Sequence, residues 1–351
     1  MAGDGAHDAA RGAPGDVVGR RIVSSEPFNA EVRLEALSGD LPPTELHFVR
    51  SHFAVPGHPG TLTIDGEVRN PVVLSLADLR GRPSVTLVNT IECAGNGRAF
   101  LDPPAPGEPW LLGAVGTAEW TGVPLAGLLE EAGVAAGAVE ILFRGADSGT
   151  AGGLGRAIAF ERSLPLPIPP DTIVAYGMNG RPLPPEHGAP LRLVVPGWYG
   201  VASVKWLVEI RAIASPFRGF YQVDRYVIDG APLSEIAPRA VIAVPADGST
   251  ISRGPAVVRG YAWSGRTTVD RVEVSVDGGA TWSEATLGPA SGSAWRTWEL
   301  AWEPPAAGQA TLLARATDGR GERQPLEQVW NALGYRNNAA QPLTVEVRAG
   351  D

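Results

Sequence analysis

A chain of 351 residues exceeds what one hydrophobic core usually supports, and an apolar fraction of 44% can fill two cores, so two domains are expected and a disordered chain is excluded. The formal net charge of −9 supplies no basic surface for a nucleic acid partner. A single cysteine, Cys93, excludes an intrachain disulfide and every zinc or iron–sulfur site that needs two thiolates from the chain.

From the N-terminus, residues 1–21 are rich in Gly, Ala and Asp without periodicity and are expected to form a mobile tail, with order beginning near Ile22. That start holds no apolar run of signal-peptide length, and no stretch of about 18 apolar residues occurs anywhere, so a soluble, cytoplasmic protein with no membrane partner is expected. The 44 glycines and 32 prolines favour loops and strands, leaving helices few and short. Residues 61–82, TLTIDGEVRNPVVLSLADLRGR, predict two strands about a polar turn and one helical turn from Ser75. The β-branched run SVTLVNTIEC, 84–93, predicts a buried strand broken by the glycines of AGNGR, which places Cys93 at a strand end. The segment PLAGLLEEAGV, 124–134, is the clearest helix, with Leu125, Leu128 and Leu129 on one face and Gly133 behind it. Four more strands, within VEILFRG, TIVAYGMNG, LRLVVPG and SVKWLVEIRAI, complete a mixed α and β domain over 22–236. Beyond it the pattern alternates: Val272, Val274 and Val276 face one way and Arg271, Glu273, Ser275 and Asp277 the other, which predicts a β-sandwich over 237–351 and an α+β protein overall.

A lone intracellular cysteine is most often a small core residue. In ECAGNGR, however, two glycines let the backbone approach a ligand closely, and Arg98 stands near enough to favour a thiolate, which makes Cys93 a candidate cavity residue. A thiol nucleophile would need an imidazole base, and His47, His52, His58 and His187 are all candidates for it.

Five segments then resemble one family. HFVRSHFAVP (47–56), IECAGNGR (91–98), GEPWLLGAVGTAEWTGVPLAGLL (107–129), HGAPLRLVVPG (187–197) and VASVKWL (201–207) are similar, in order and spacing, to the molybdopterin domain of sulfite oxidases. VVRGYAWSG (257–265) and VEVSVDGGATW (272–282) resemble the immunoglobulin-like dimerisation domain that follows it in those enzymes. The resemblance implies a homodimer whose cofactor is molybdenum held by a pterin dithiolene, with Cys93 as the one protein ligand to the metal. That arrangement suits a soft metal and a chain with one thiol. It implies cofactor contacts from Arg50 and His52 before the cysteine strand, and from Asp147, His187, Arg192, Ser203 and Lys205 after it; guanidinium, ammonium and hydroxyl donors are what a buried phosphate needs.

At the metal the resemblance implies catalytic roles for Cys93, Arg50, Arg98, Trp110 and a tyrosine. The tyrosine is Tyr226 or Tyr221, with Tyr226 ranked first although one extra residue separates it from Asp224. An arginine from the second domain maps to Arg266, behind a shorter glycine run than the family carries. The implied reaction is oxygen-atom transfer to sulfite, a small oxyanion, giving sulfate. No haem domain is expected, because no fused segment precedes the first domain and a one-cysteine chain has no C-x-x-C-H, so electrons pass to a separate acceptor such as a cytochrome or oxygen. Three departures stand out: Gly97 where animal and plant enzymes carry an arginine, Trp198 and Tyr199 where small aliphatic residues are usual, and Ser51 where Asn is common. The first two motivate an alternative reading as a relative acting on sulfane sulfur or a sulfoxide. A third reading is a sandwich-containing binding protein with a decayed site, against which Cys93, Arg98 and His187 speak.

Overall fold

The computed structural model describes residues 19–151, 154–265 and 267–349. Order begins before Ile22. Arg20–Ser25 pairs antiparallel with Phe28–Val32, and Arg21 Nε donates to Glu31 Oε1 at 2.5 Å. Glu31 is buried and needs a cation, so Arg20 and Arg21 belong to a strand and not to the expected tail; residues 1–18 of that tail lie outside the described residues.

The architecture is mostly β, with 43% of residues in strands and 10% in helices, so helices carry less of the chain than an α+β protein would give them. The first domain holds two sheets. One runs in the order Arg181–Pro182, Ile173–Met178, Val115–Pro124 and Val85–Glu92, with Arg192–Val194 also paired to Ile173–Met178. The other runs Val72–Ser75, Thr61–Gly66, Leu207–Ile213, Glu140–Thr150 and Ala157–Pro165, with one parallel pair at Thr61–Gly66 and Leu207–Ile213. Helix Leu76–Arg80 starts on a capping box between Ser75 and Asp78. Helix Leu125–Ala132 buries Leu125, Leu128 and Leu129 and ends at Gly133, whose φ of 68° closes the last turn. The strand expected from Ser203 starts only at Leu207: Gly200–Ala202 is a 3-10 turn and Trp206 has a φ of 52°, which leaves Ser203 and Lys205 in a loop free to face a cavity.

In the second domain, Arg239–Val244, Ala256–Trp263, Arg296–Trp302 and Thr286–Leu287 form one sheet. Thr250–Ser252, Leu343–Arg348, Gly308–Asp318, Val269–Ser275 and Ser283–Glu284 form another. Val258, Ala262 and Trp298 from the first meet Val272, Val274 and Leu312 from the second in one core. The two domains are not separately packed. Tyr261, Trp263, Trp295 and Tyr335 belong to the core of the first domain, and Trp295 donates to Thr90 Oγ1 through its backbone N at 2.7 Å and to Asp40 O through its indole at 2.9 Å. The end of the strand that carries the cysteine is thus held from both sides.

Candidate active site and cofactor cavity

Strand Val85–Glu92 is exposed at its start and fully buried from Asn89 to Glu92, so it delivers Cys93 to the interior. There the chain turns: Asn96 N donates to Cys93 O at 2.9 Å, Arg98 N to Gly95 O at 3.0 Å, and Gly97 takes a φ of 84°. Behind the turn, Glu92 forms a buried ion pair with Arg239 at 3.0 Å and accepts from the Trp263 indole at 2.9 Å. Burial pushes the Cys93 thiol up, while Arg50 and Arg98 act in the opposite direction, favouring the thiolate.

Cys93 lies where two cavities meet. The inner one brings together Arg50 and His52 with Asp147, His187, Arg192, Ser203 and Lys205, which is the whole set expected for the cofactor. The outer one is lined by Arg98, Tyr221 and Tyr226 and shares Cys93, Arg50, His52 and Tyr226 with the inner. Tyr226 therefore borders both cavities, and its hydroxyl is 2.8 Å from His52 Nε2; Tyr221 borders the outer one alone and packs its ring on His52 at 4.6 Å. Trp110 borders neither. It is fully buried in a core cluster with Cys93 and Phe48, so it packs behind the site and is placed to support the loop. Arg266 lies outside the described residues.

The inner cavity is crowded with cationic groups. Lys205 Nζ donates to Ser51 Oγ and Glu186 O, both at 2.8 Å, and sits 4.2 Å from the Trp206 ring. Arg192 donates to His187 O at 3.0 Å and Ser203 O at 3.2 Å. Burial pushes Arg192 down to about 9, and burial with neighbouring cations holds Lys205, His52 and His187 well below their ordinary values. Asp147 is the buried carboxyl among them, and burial pushes it up to about 6. Among the described residues, the Nε2 atoms of His47 and His187 and Oδ1 of Asp147 are buried without a hydrogen-bond partner. Such a set is built for an anion with further polar atoms, since a bound phosphate would relieve the crowding and heteroatoms would satisfy the orphans.

The outer cavity holds Arg98 in a fixed position. Its guanidinium donates to Glu108 O at 3.0 Å and Leu333 O at 3.3 Å, and lies 5.2 Å over the ring of Tyr335. A Cβ on Gly95, Gly107 or Gly334 would come within 2.5, 2.9 and 2.9 Å of it, and one on Gly334 would also meet Ala105, so three glycines form a sleeve around this side chain. Tyr335 in turn stacks on Tyr226 at 5.0 Å and 17°. Sequence reasoning passed over Tyr335, Trp206 and Arg225, and gave His47 no cofactor role. Trp206 and His47 lie inside the quoted motifs, where a reading by residue type would have found them. Tyr335 lies in an aperiodic loop, WNALGYRNN, with nothing local to mark it.

Two expectations about substrate change here. Gly97 borders neither cavity, and a Cβ on it would meet Asn337 O at 2.8 Å and Arg239 at 3.2 Å, so a side chain there would point at the second domain and its lack removes no charge from the pocket. Trp198 bridges to Glu235, and the buried Tyr199 hydroxyl accepts from Ala237 N at 3.4 Å, so neither reshapes the pocket mouth.

Residues 52–221 match the family model of the oxidoreductase molybdopterin binding domain, and residues 232–347 that of the Mo-co oxidoreductase dimerisation domain. The chain is 36% identical to the sulfite oxidase of Gallus gallus, over 95% of this chain and 79% of that one. It belongs to the sulfite oxidase family of molybdopterin oxidoreductases. This family member is 35% identical to the mitochondrial sulfite oxidase of Mus musculus, of whose length it spans 65%, and 32% identical to a nitrate reductase of Solanum lycopersicum, of which it spans 40%. The crystal structure of the sulfane dehydrogenase SoxCD from Paracoccus pantotrophus superposes with a TM-score of 0.82 at 29% identity, covering 99% of this chain and 93% of that one. The chain is therefore an enzyme, and its cofactor is molybdenum with molybdopterin. The residues present fit that group: cations and a serine for the phosphate, orphaned imidazoles and a carboxyl for the ring, and one thiol for the metal.

Proposed function

We propose that this enzyme oxidises sulfite to sulfate and passes the electrons to a separate acceptor. The observation that carries the reading is the position of Cys93 at the common wall of a deep cationic cavity and an outer cavity where Arg50 and Arg98 converge. In this reading Cys93 ligates the metal; Arg50, His52, Asp147, His187, Arg192, Ser203 and Lys205 hold the pterin and its phosphate. The bound cofactor supplies oxygen-atom transfer and takes up the electron pair. The chain does the rest. Arg50 and Arg98 draw a dianion out of water and orient it, Arg98 without reorganisation because carbonyls and glycines already fix it. Tyr226, tied to His52, closes the wall between the cavities. The carboxylate-poor lining keeps the field positive where the anion sits.

The same reading makes the division between domains fall at 236/237, takes the second domain as an immunoglobulin-like sandwich, and has it form a homodimer; the dimerisation-domain match and the two-sheet core support this. A second substrate class, sulfane sulfur, is favoured by the likeness to SoxCD. Sulfite-dependent ferricyanide reduction, normalised to molybdenum in the same sample, tests the first reading. Fast turnover per molybdenum is expected. A full complement of metal without turnover, together with activity on a protein-bound sulfane, would replace sulfite by the second class.

A further inference from the structure

The outer cavity carries a third arginine. Among the described residues, Arg225 lies on its lining with Arg50 and Arg98, against a single carboxylate side chain, Glu108. Arg98 is 7% exposed and Arg225 is half-buried, so the two mark the depth and the mouth. The partners of Arg225 are the carbonyl of Asp224, to which its guanidinium donates at 3.1 Å, and the ring of Phe220 at 5.2 Å, and neither cancels its charge. The backbone is bent to put it there. Helix Phe220–Val223 ends with Asp224 N and Arg225 N both donating to Phe220 O, at 3.1 and 2.9 Å, and Tyr226 then adopts a φ of 57°. A left-handed residue other than glycine is strained and is retained where the surroundings demand it. Here it lets two consecutive side chains, Arg225 and Tyr226, border the same cavity.

We propose that Arg225 is a specificity-determining residue: the outer anion-capture group of this site, which selects a doubly charged oxyanion over an uncharged sulfur compound. It rests on the sulfite reading for the identity of the substrate, while its action on anions stands on the cavity alone. A dianion entering the mouth meets Arg225 first and is handed inward to Arg98 and Arg50, a gradient that favours encounter at low ionic strength.

The test is calorimetric titration of sulfate into the holoenzyme and its Arg225→Gln and Arg225→Lys variants at two ionic strengths, alongside sulfite kinetics. R225Q is expected to weaken sulfate binding about tenfold, the low end for a charge-assisted contact at a solvated site. It should also flatten the salt dependence and raise the sulfite KM more than it lowers kcat, and R225K should recover most of each. Unchanged sulfate affinity and salt slope in R225Q would overturn the proposal and leave the sulfite reading standing. Equal impairment in R225K and R225Q would also overturn it, assigning Arg225 to packing on Phe220. A wild-type enzyme without sulfite turnover whose sulfate affinity still falls in R225Q would remove the sulfite reading and support Arg225 as an anion-capture residue.

Discussion

Glu92 and Arg239 meet at 3.0 Å directly behind Cys93, one at the end of the strand that delivers the thiol and the other at the start of the second domain. Each side chain is 2% exposed. Arg239 also donates to Asn96 O at 3.2 Å, and Asn96 donates to Glu92 Oε1 at 3.0 Å, so the cysteine loop hangs on this pair. Removing one partner of a buried pair strands the other charge at a cost of about 3–5 kcal/mol. Glu92→Gln and Arg239→Met should each lose stability on that order in urea unfolding, and the double variant should lose less than the sum. Additive losses would show that the two side chains act independently.

Placing at position 97 the arginine expected from the resemblance to the animal and plant enzymes should harm this enzyme. Gly97 has a φ of 84° and no room for a Cβ beside Asn337 O. Gly97→Arg is expected to cost about 1–3 kcal/mol of stability from strain and overpacking, with no gain in sulfite affinity. A lower KM in a fully folded variant would place that side chain in the pocket after all.

Tyr335 supports Arg98 from the second domain. Tyr335→Leu removes the ring beneath the guanidinium and beside Tyr226. The expected effect is a sulfite KM roughly 3- to 30-fold higher at unchanged molybdenum content. Tyr335→Phe, which keeps the ring, should sit near wild type. Loss of metal in step with activity would make the residue a structural support only.

His47 gives a pH signature. Its Nδ1 faces Phe48 O at 3.1 Å, and burial pushes the imidazole down to about 4 from 6.5. The folded value lies below the unfolded one, so between pH 6.5 and 4 the unfolded chain binds the proton and the folded chain does not. Stability is full above about 6.5 and declines as the pH falls to about 4, by roughly 3 kcal/mol for this group. Cofactor-free protein should show that decline in its melting temperature, and His47→Gln should flatten it.

Much of the site was legible because its residues sit in short, dense motifs. Cys93 at a strand end followed by glycines, and Ser203 and Lys205 flanking one residue, are local patterns, and the structure gathers them with Arg50, His52, Asp147, His187 and Arg192 around one cavity. Helix Leu125–Ala132 was legible from its leucine spacing and its glycine stop. What escaped depends on contacts far apart in the chain. Trp110 sits in a cavity-like motif, yet its indole packs into the core behind the cysteine loop. Gly97 and Trp198 looked like changes to the pocket because the direction of a side chain at a left-handed turn or a domain junction is set by tertiary packing, which spacing alone does not report. Tyr335 is 237 residues after Arg98 in number, and only the closed fold brings them together.

The glycine sleeve around Arg98 makes that one side chain a witness to assembly. Its walls come from the cysteine loop, from the segment before Trp110 and from a loop near the end of the second domain. Until all three arrive, the guanidinium has neither its carbonyl acceptors nor its ring and stays solvated like any surface arginine. The fixed position of Arg98 therefore needs all three segments together, and a chain with its second domain unfolded would have a cysteine but neither the Leu333 carbonyl nor the Tyr335 ring to hold that guanidinium.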